Sequence, residues 1–159
     1  MAFETQSPTH IAARVIPAIG RPDFPEHLLS VYRALAGCDL CSAFVWDAER
    51  GPRLLFAAGI HPQIPGFALW ASRAYAHRYW RLDAVALRRV HDPSGLSLLR
   101  VTATDILNPD YRRDCYQRGG ICERLTLFDS NLPAVSVSGY RTDARGPTTS
   151  RVAQRMEEA

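Results

Sequence analysis

Four cysteines are the residues of this sequence best suited to metal or redox chemistry. Cys38 and Cys41 have the CxxC spacing, whereas Cys115 and Cys122 lie farther apart. A structural zinc site usually combines two close pairs, or one pair with closely spaced histidines. A redox-active pair sits where a helix begins, because the helix dipole there lowers the thiol pKa. Here the pair lies where a helix is predicted to end and a strand to begin. We therefore expect buried thiols and no metal site.

A second group of residues could serve nucleophilic catalysis. His91 and Asp92 stand beside Ser94, and Cys115 lies within a predicted helix. A nucleophile needs a base within reach and a site that stabilises the oxyanion. His91 instead lies in a turn rich in Pro and Gly, and the sequence has neither a nucleophile-elbow motif nor a Gly-rich phosphate loop. We expect no enzymatic activity and no cofactor.

The composition is that of an ordinary globular protein. The 159 residues are 47% hydrophobic and 22% charged, which suits one domain. No apolar run approaches the roughly 18 residues that span a bilayer, and the N-terminus lacks the pattern of a signal peptide. The net charge of +3 is spread along the chain, which argues against direct contact with nucleic acid. We expect a cytoplasmic protein that does not bind membranes.

Hydrophobic periodicity and turn residues predict alternating helices and strands. Hairpins at both ends indicate an α+β fold with a mainly antiparallel sheet of about five strands, the α/β/α layout of GAF or PAS sensor domains. The predicted order is a helix at 24–37, strands at 40–49 and 53–59, an aromatic helix at 67–80, a strand at 96–106, a helix at 108–119, and strands at 121–130 and 134–141. The chain divides into an irregular arm (1–22), a GAF-like domain (23–141) and a polar tail (142–159). No helix-turn-helix pattern follows Tyr140, so no DNA-binding domain is expected.

The aromatic helix and the segment after it form the best candidate binding site. Ligand pockets are typically lined by aromatic and apolar side chains with a few fixed polar groups. The same residues would also suit an ordinary core between a helix and a sheet, and both interpretations stay open. The candidate residues are Trp70, Tyr75, Tyr79, Trp80 and Asp83, with Trp46, Ser136 and Ser138 contributed by the sheet.

Two carboxylates could instead be structural. Asp83 lies close in sequence to three arginines, so a solvated ion pair is its simplest role. Glu123 alternates with Ile121, Leu125 and Leu127, which places its carboxylate on an apolar face of the strand. Since an unpaired buried charge is costly, we expect Glu123 to pair with an arginine of a neighbouring element.

The block from Asp105 to Leu125, DI-x-N-x-x-YRR-x-CY-x-x-x-GI-x-ERL, resembles a segment of the sensory region of LuxR-type helix-turn-helix regulators. Within it, Asn108 is a good helix N-cap, and Tyr111 and Cys115 share a face that should pack inward. The resemblance implies a GAF-like α/β/α domain that binds a small molecule.

The aromatic helix is also similar to that of acyl-homoserine-lactone receptors, which carry W-x-x-x-Y followed by D-P-V. Asp83-Ala84-Val85 stands where D-P-V would be, and the Asp of that motif holds the ligand amide. The resemblance implies a regulatory domain that binds a mainly apolar signal between the sheet and the aromatic helix and acts through dimerisation. The alternative is a ligand-free domain that forms a heterodimer with a full-length regulator and modulates it.

Overall fold

Four α-helices and five β-strands make up the computed structural model, which describes residues 13, 15–92, 95–131 and 133–143. The elements follow the predicted order, with one further short helix. The helices are α1 (Phe24–Ala36), α2 (Phe67–Ala74), α3 (Ala84–His91) and α4 (Pro109–Arg112); the strands are β1 (Leu40–Asp47), β2 (Gly51–Ala58), β3 (Leu96–Thr102), β4 (Ile121–Asp129) and β5 (Ala134–Thr142).

All five strands form one antiparallel sheet in the order β2-β1-β5-β4-β3. Two hairpins, β1–β2 and β4–β5, were predicted from the sequence and are confirmed. The first hairpin turns at Asp47, whose Oδ1 accepts the N–H groups of Glu49 and Arg50. The central pairing of β1 with β5 joins residues about 100 positions apart, such as Ser42 and Ser138. The α+β fold with its antiparallel sheet is therefore confirmed.

The helices cover both faces of the sheet. Helix α1 begins with Pro25 in its first turn and ends at Gly37, which adopts the left-handed conformation (φ 65°). It packs Tyr32 and Leu35 against Leu125 on one face. Helices α2, α3 and α4 cover the other face, where the larger aromatic core lies. The result is the three-layer α/β/α arrangement.

Two of the predicted helices contain π-helical turns. Helix α2 continues as a π-turn over Tyr75–Tyr79, and a 3₁₀ turn follows at Trp80–Leu82. Helix α4 continues as a π-turn over Arg113–Gln117. A π-turn inserts one residue into the helical repeat and often marks a functional segment. These two turns contact each other, because the Tyr79 hydroxyl donates a hydrogen bond to Asp114.

Other boundaries differ from the predictions. The strand predicted at 96–106 ends at Thr102, because the next residues form a 3₁₀ turn with a capping box between Thr102 and Asp105. The described part of the predicted irregular arm contains a 3₁₀ turn at Ile16–Ala18. Residues 1–12 and 14 of that arm, the turn residues Pro93, Ser94 and Leu132, and residues 144–159 of the tail lie outside the described residues.

Candidate functional site

The sheet face beneath α2 carries a polar row within an aromatic core. The β5 residue Ser138 lies between Ser42 of β1 and Thr126 of β4. Its Oγ is 2.7 Å from that of Thr126, and the Ser42 Oγ is 2.8 Å from the hydroxyl of Tyr140. Each polar atom on this row is hydrogen bonded, as burial requires. The side chains of Ser42, Thr126 and Ser138 are therefore buried beside the aromatic core of this face.

Four residues beyond Ser42 on β1, Trp46 is anchored to the same face. Its indole N–H donates to Ser136 Oγ over 2.8 Å, and only 6% of the residue is exposed. The indole ring contacts Tyr75 edge-on and packs against Phe128. Trp46 is therefore held in one orientation by one hydrogen bond and two ring contacts.

A buried ion pair connects the helical layer to the sheet. The Arg124 Nη2 atom lies 2.8 Å from Asp83 Oδ2, and the two side chains are 6% and 2% exposed. The Tyr75 hydroxyl donates to the same carboxylate oxygen over 2.8 Å, and the Ala86 N–H donates to Oδ1 over 3.1 Å. Asp83 is thus at once the N-cap of α3 and the counter-ion of Arg124. This position explains why an arginine in the middle of a strand can be buried.

The surroundings of the ion pair shift the pKa values of Asp83 and of the neighbouring Tyr75. Burial alone would raise the pKa of Asp83, but the Arg124 charge and the Ala86 N–H outweigh it and hold that pKa below its ordinary value. Burial and the neighbouring Asp83 charge raise the pKa of the Tyr75 hydroxyl. At neutral pH the site therefore holds one positive charge, one negative charge and protonated tyrosines.

Two small cavities flank the ion pair, and Tyr75, Arg124 and Tyr140 line both. The larger has a volume of about 30 Å³ and lies between the sheet, α2 and α4; Tyr111, Cys115 and Tyr116 complete its wall on the α4 side. The smaller, of about 10 Å³, is next to Trp46, Ser136 and Ser138. A buried water needs roughly 10–15 Å³, so these spaces are small. A molecule much larger than water must displace wall side chains to enter.

Most of the residues predicted for the site lie together in this layer. Trp46, Tyr75, Ser136 and Ser138 line the smaller cavity, and Asp83 contacts Tyr75 and Arg124 behind it. The predicted solvated ion pair of Asp83 with its sequence neighbours is wrong, since its partner is the buried Arg124.

Tyr79 and Trp80 are buried, each with 6% exposure, but they line neither cavity. Tyr79 stacks on Tyr111. Trp80 packs against the backbone of Gly51, at a distance that leaves no space for a Cβ atom. These two residues support the site from outside.

Trp70 lies apart from the other predicted residues. It is 41% exposed and stands on the outer side of α2, where the Arg118 guanidinium lies 4.6 Å from the ring centroid. The helical repeat places Trp70 about 100° from the row that contains Ala71 and Tyr75, and the structure turns that second row inward. The aromatic pattern could not distinguish the two rows.

Arg124 is the important residue that the sequence analysis missed. The available signal was its place on β4, where it alternates with Thr126 and Phe128 in a strand covered on both faces. A charge at such a position requires a buried partner.

Glu123 has the predicted structural role. It is fully buried on the α1 face and forms ion pairs with Arg100 and, at 3.6 Å, with Arg141. The prediction for Ile121 is wrong, because a bulge between Ile121 and Glu123 moves Ile121 to the opposite face. Tyr111 and Cys115 pack inward as predicted.

The cysteines form no ligand set. Burial raises the pKa of Cys38, Cys41 and Cys115 to about 12, which disfavours the thiolate needed for metal or redox chemistry. Within the described ranges, no three His, Cys, Asp or Glu side chains are grouped so as to hold a metal ion. The same part of the chain has no helix of the length and apolarity needed to cross a bilayer.

Three solved structures of bacterial proteins have a similar fold. The LBD domain of VqsR from Pseudomonas aeruginosa matches with a TM-score of 0.65 at 13% identity, over 94% of this chain and 86% of that chain. CepR2 from Burkholderia cenocepacia, an N-acylhomoserine-lactone-dependent LuxR family transcription factor, gives 0.59 at 17% identity, over 94% and 85%. SdiA from Escherichia coli gives 0.50 at 15% identity, over 90% and 59%. No protein-family model and no curated protein matches the sequence. At these identities the likeness concerns the fold: this chain has the fold of the sensory domains of LuxR-type regulators.

Proposed function

We propose that this domain senses a small molecule, which binds between the sheet and α2, and that occupancy is passed on through dimerisation. The observation that carries the proposal is the buried group of Arg124, Asp83 and Tyr75 beside the two cavities. Polar groups fixed in an otherwise aromatic pocket are typical of ligand sites. The fold shared with CepR2 and VqsR supports the same conclusion. No catalytic step is proposed.

Signalling requires that the ligand favour one of two states of the protein. The small cavities provide a reason for such a preference. A ligand that enters must displace side chains of α2, of α4 or of the π-turns that follow them, and these two π-turns meet through Tyr79 and Asp114. Movement of these helices would change the surface that carries Trp70 and Arg118. This surface is our candidate for the part that reports occupancy.

The function is tested with the full chain and a panel of acyl-homoserine lactones and aromatic small molecules. A ligand at 100 times its Kd stabilises the folded state by about 2.7 kcal/mol, which raises the Tm of a domain of this size by roughly 5–10 °C. The matched variant is Ser136→Ala, which removes the hydroxyl that holds Trp46. It should reduce the ligand-dependent shift, while Ser97→Ala, on β3, should not. Light scattering with and without the ligand then tests dimerisation. A panel in which no compound changes the Tm contradicts the proposal.

A ligand-free module is the second candidate, and the small cavity volumes favour it. The aromatic side chains of the domain itself, Trp46, Tyr75 and Tyr111 among them, already fill most of the interior. In that case the exposed Trp70 and Leu69 would contact a full-length LuxR-type regulator. Co-expression with such a regulator distinguishes the candidates, because a stable complex that no panel compound alters supports the second.

A further inference from the structure

Two buried polar atoms on the larger cavity lack hydrogen-bond partners. They are the Nε of Arg124 and the hydroxyl of Tyr116. Arg124 is 5% exposed and Tyr116 is 1% exposed, and both line the same cavity. No other buried side-chain nitrogen or oxygen in the described part of the chain is left without a partner. Because buried donors are almost always satisfied, their location in one cavity indicates a hydrogen-bonding occupant.

The charges around the cavity restrict what that occupant can be. Asp83 lies 2.8 Å from Arg124 and already balances its charge. An anionic ligand would therefore leave a net negative charge buried near Asp83, and a cationic ligand would add a second positive charge near Arg124. Both arrangements are disfavoured in an apolar interior. The occupant should be uncharged.

The hydrogen-bonding character of the cavity restricts the occupant further. A guanidinium can only donate, and a tyrosine hydroxyl can donate as well as accept. The nearby carboxylate of Asp83 already accepts from Tyr75, Ala86 and Arg124. The Arg124 Nε–H therefore requires an acceptor, and the Tyr116 hydroxyl can donate to that same acceptor.

We propose that the larger cavity binds an uncharged group with a hydrogen-bond acceptor, such as a carbonyl oxygen, which Arg124 Nε and the Tyr116 hydroxyl hold. This inference rests on the proposed function and defines the chemistry of its ligand. The cavity of about 30 Å³ has room for the carbonyl end of a molecule. The rest of the ligand would lie against the apolar wall formed by Phe67, Ala68 and Ala71.

Two probes of nearly the same shape test the charge requirement. Acetone and acetate each have four non-hydrogen atoms, but acetone is a neutral acceptor and acetate is an anion. Each is titrated into the ¹⁵N-labelled full chain, and the Nε–H resonance of Arg124 is followed by NMR. Acetone should shift this resonance in a saturable manner, with millimolar affinity, and acetate should not. The control is the Nε–H of Arg100, which is engaged by Glu123 on the opposite face of the sheet and should not move.

Tyr116→Phe tests the second donor and should weaken acetone binding about fivefold, the loss expected for one neutral hydrogen bond. The same variant should keep the thermal stability of the wild type, since the hydroxyl has no partner to lose. Tyr32→Phe is the matched control: its hydroxyl donates to Val137 O over 2.7 Å on the α1 face, so it should lose stability and keep acetone affinity.

Three outcomes would overturn the inference: saturable binding of acetate in preference to acetone, equal acetone affinity in Tyr116→Phe, or equal shifts at Arg100 and Arg124. If panel compounds raise the Tm while acetone has no effect on Arg124, the carbonyl assignment is wrong and the sensing function stands. If neither the panel nor acetone binds, both are wrong.

Discussion

Removal of the Arg124 charge should reveal how strongly the ion pair organises the domain. Arg124→Met keeps much of the aliphatic length but leaves Asp83 buried without its counter-ion, since the Nη2–Oδ2 contact of 2.8 Å is lost. Breaking a buried pair on one side costs about 3–5 kcal/mol. A domain with about 5–15 kcal/mol of stability can still fold after such a loss. Urea unfolding followed by circular dichroism at pH 7 measures the difference.

Asp83→Asn and the double variant complete the cycle. Because the Asp83→Asn change leaves no buried carboxylate charge to compensate, the double variant should recover about 2–3 kcal/mol relative to the sum of the single changes. Arg118→Met is the matched control, since Arg118 is 47% exposed and 3.9 Å from Asp114, and it should cost less than about 1 kcal/mol. Additive single changes, with a coupling below about 0.5 kcal/mol, would refute the ion-pair reasoning.

The pH dependence of folding stability tests the same ion pair independently. In the wild type the pKa of Asp83 is below its ordinary value of 3.8, so its stabilising contribution is present above pH 3.8 and is lost as the pH falls through the lowered value. In Arg124→Met, burial is no longer offset, and the pKa of Asp83 should rise above 3.8. The Asp83 carboxyl of the variant then takes up a proton at a higher pH than in the wild type, and this protonation removes the cost of an unpaired buried charge. The stability gap between the two proteins should narrow from about pH 7 to about pH 4. A constant gap would contradict this account.

Three further predictions concern sites outside the ion pair. In thermal unfolding, Gly66→Ala (φ 71°, no atom within 4 Å of the added Cβ) should cost about 1–2 kcal/mol of backbone strain. Gly51→Ala (φ 87°) should cost about 1–3 kcal/mol more, because its Cβ would clash with the Trp80 ring; equal costs for the two variants would contradict this packing. Trp70→Ala should cost less than about 1 kcal/mol because the ring is 41% exposed, and a loss above about 3 kcal/mol, typical of buried tryptophan, would show that the ring is buried. Burial raises the pKa of all four thiols, and raises that of Cys38, Cys41 and Cys115 to about 12. Because Cys122 alone is only half-buried, it should be the first thiol that iodoacetamide alkylates in the native chain; mass spectrometry that finds several adducts at once would disprove this.

Local signals were sufficient for most of the fold. Asn108 accepts the Tyr111 N–H at the start of α4, and Gly37 ends α1 in the left-handed conformation, as their residue types predict. Both hairpins followed from alternating apolar residues and turn residues. These features depend on contacts within a few residues, so each is present in a short window of sequence.

The site was only partly predictable. Trp46, Tyr75 and the two serines on β5 were predicted to share one face from the regular spacing of aromatic and polar residues, and the structure places all four around the smaller cavity. The sequence could not show whether the Trp70 row or the Tyr75 row of the aromatic helix faces the sheet. The helix offers two adjacent aromatic faces, and only its packing on the sheet decides which one lies inward. The face of the sheet on which Ile121 lies depends on one β-bulge, which shifts the in–out alternation of side chains on β4 by one residue.

By itself, the sequence determined the elements, their order and the α+β class, because helix caps, turns and periodicity are local properties of the chain. The tertiary structure alone decided that Asp83 and Arg124 meet, that the Arg124 Nε and the Tyr116 hydroxyl line the same cavity, and that Trp70 stays at the surface. The physical reason is that the partner of a buried charge is chosen by strand order and helix packing, which join residues far apart in the chain.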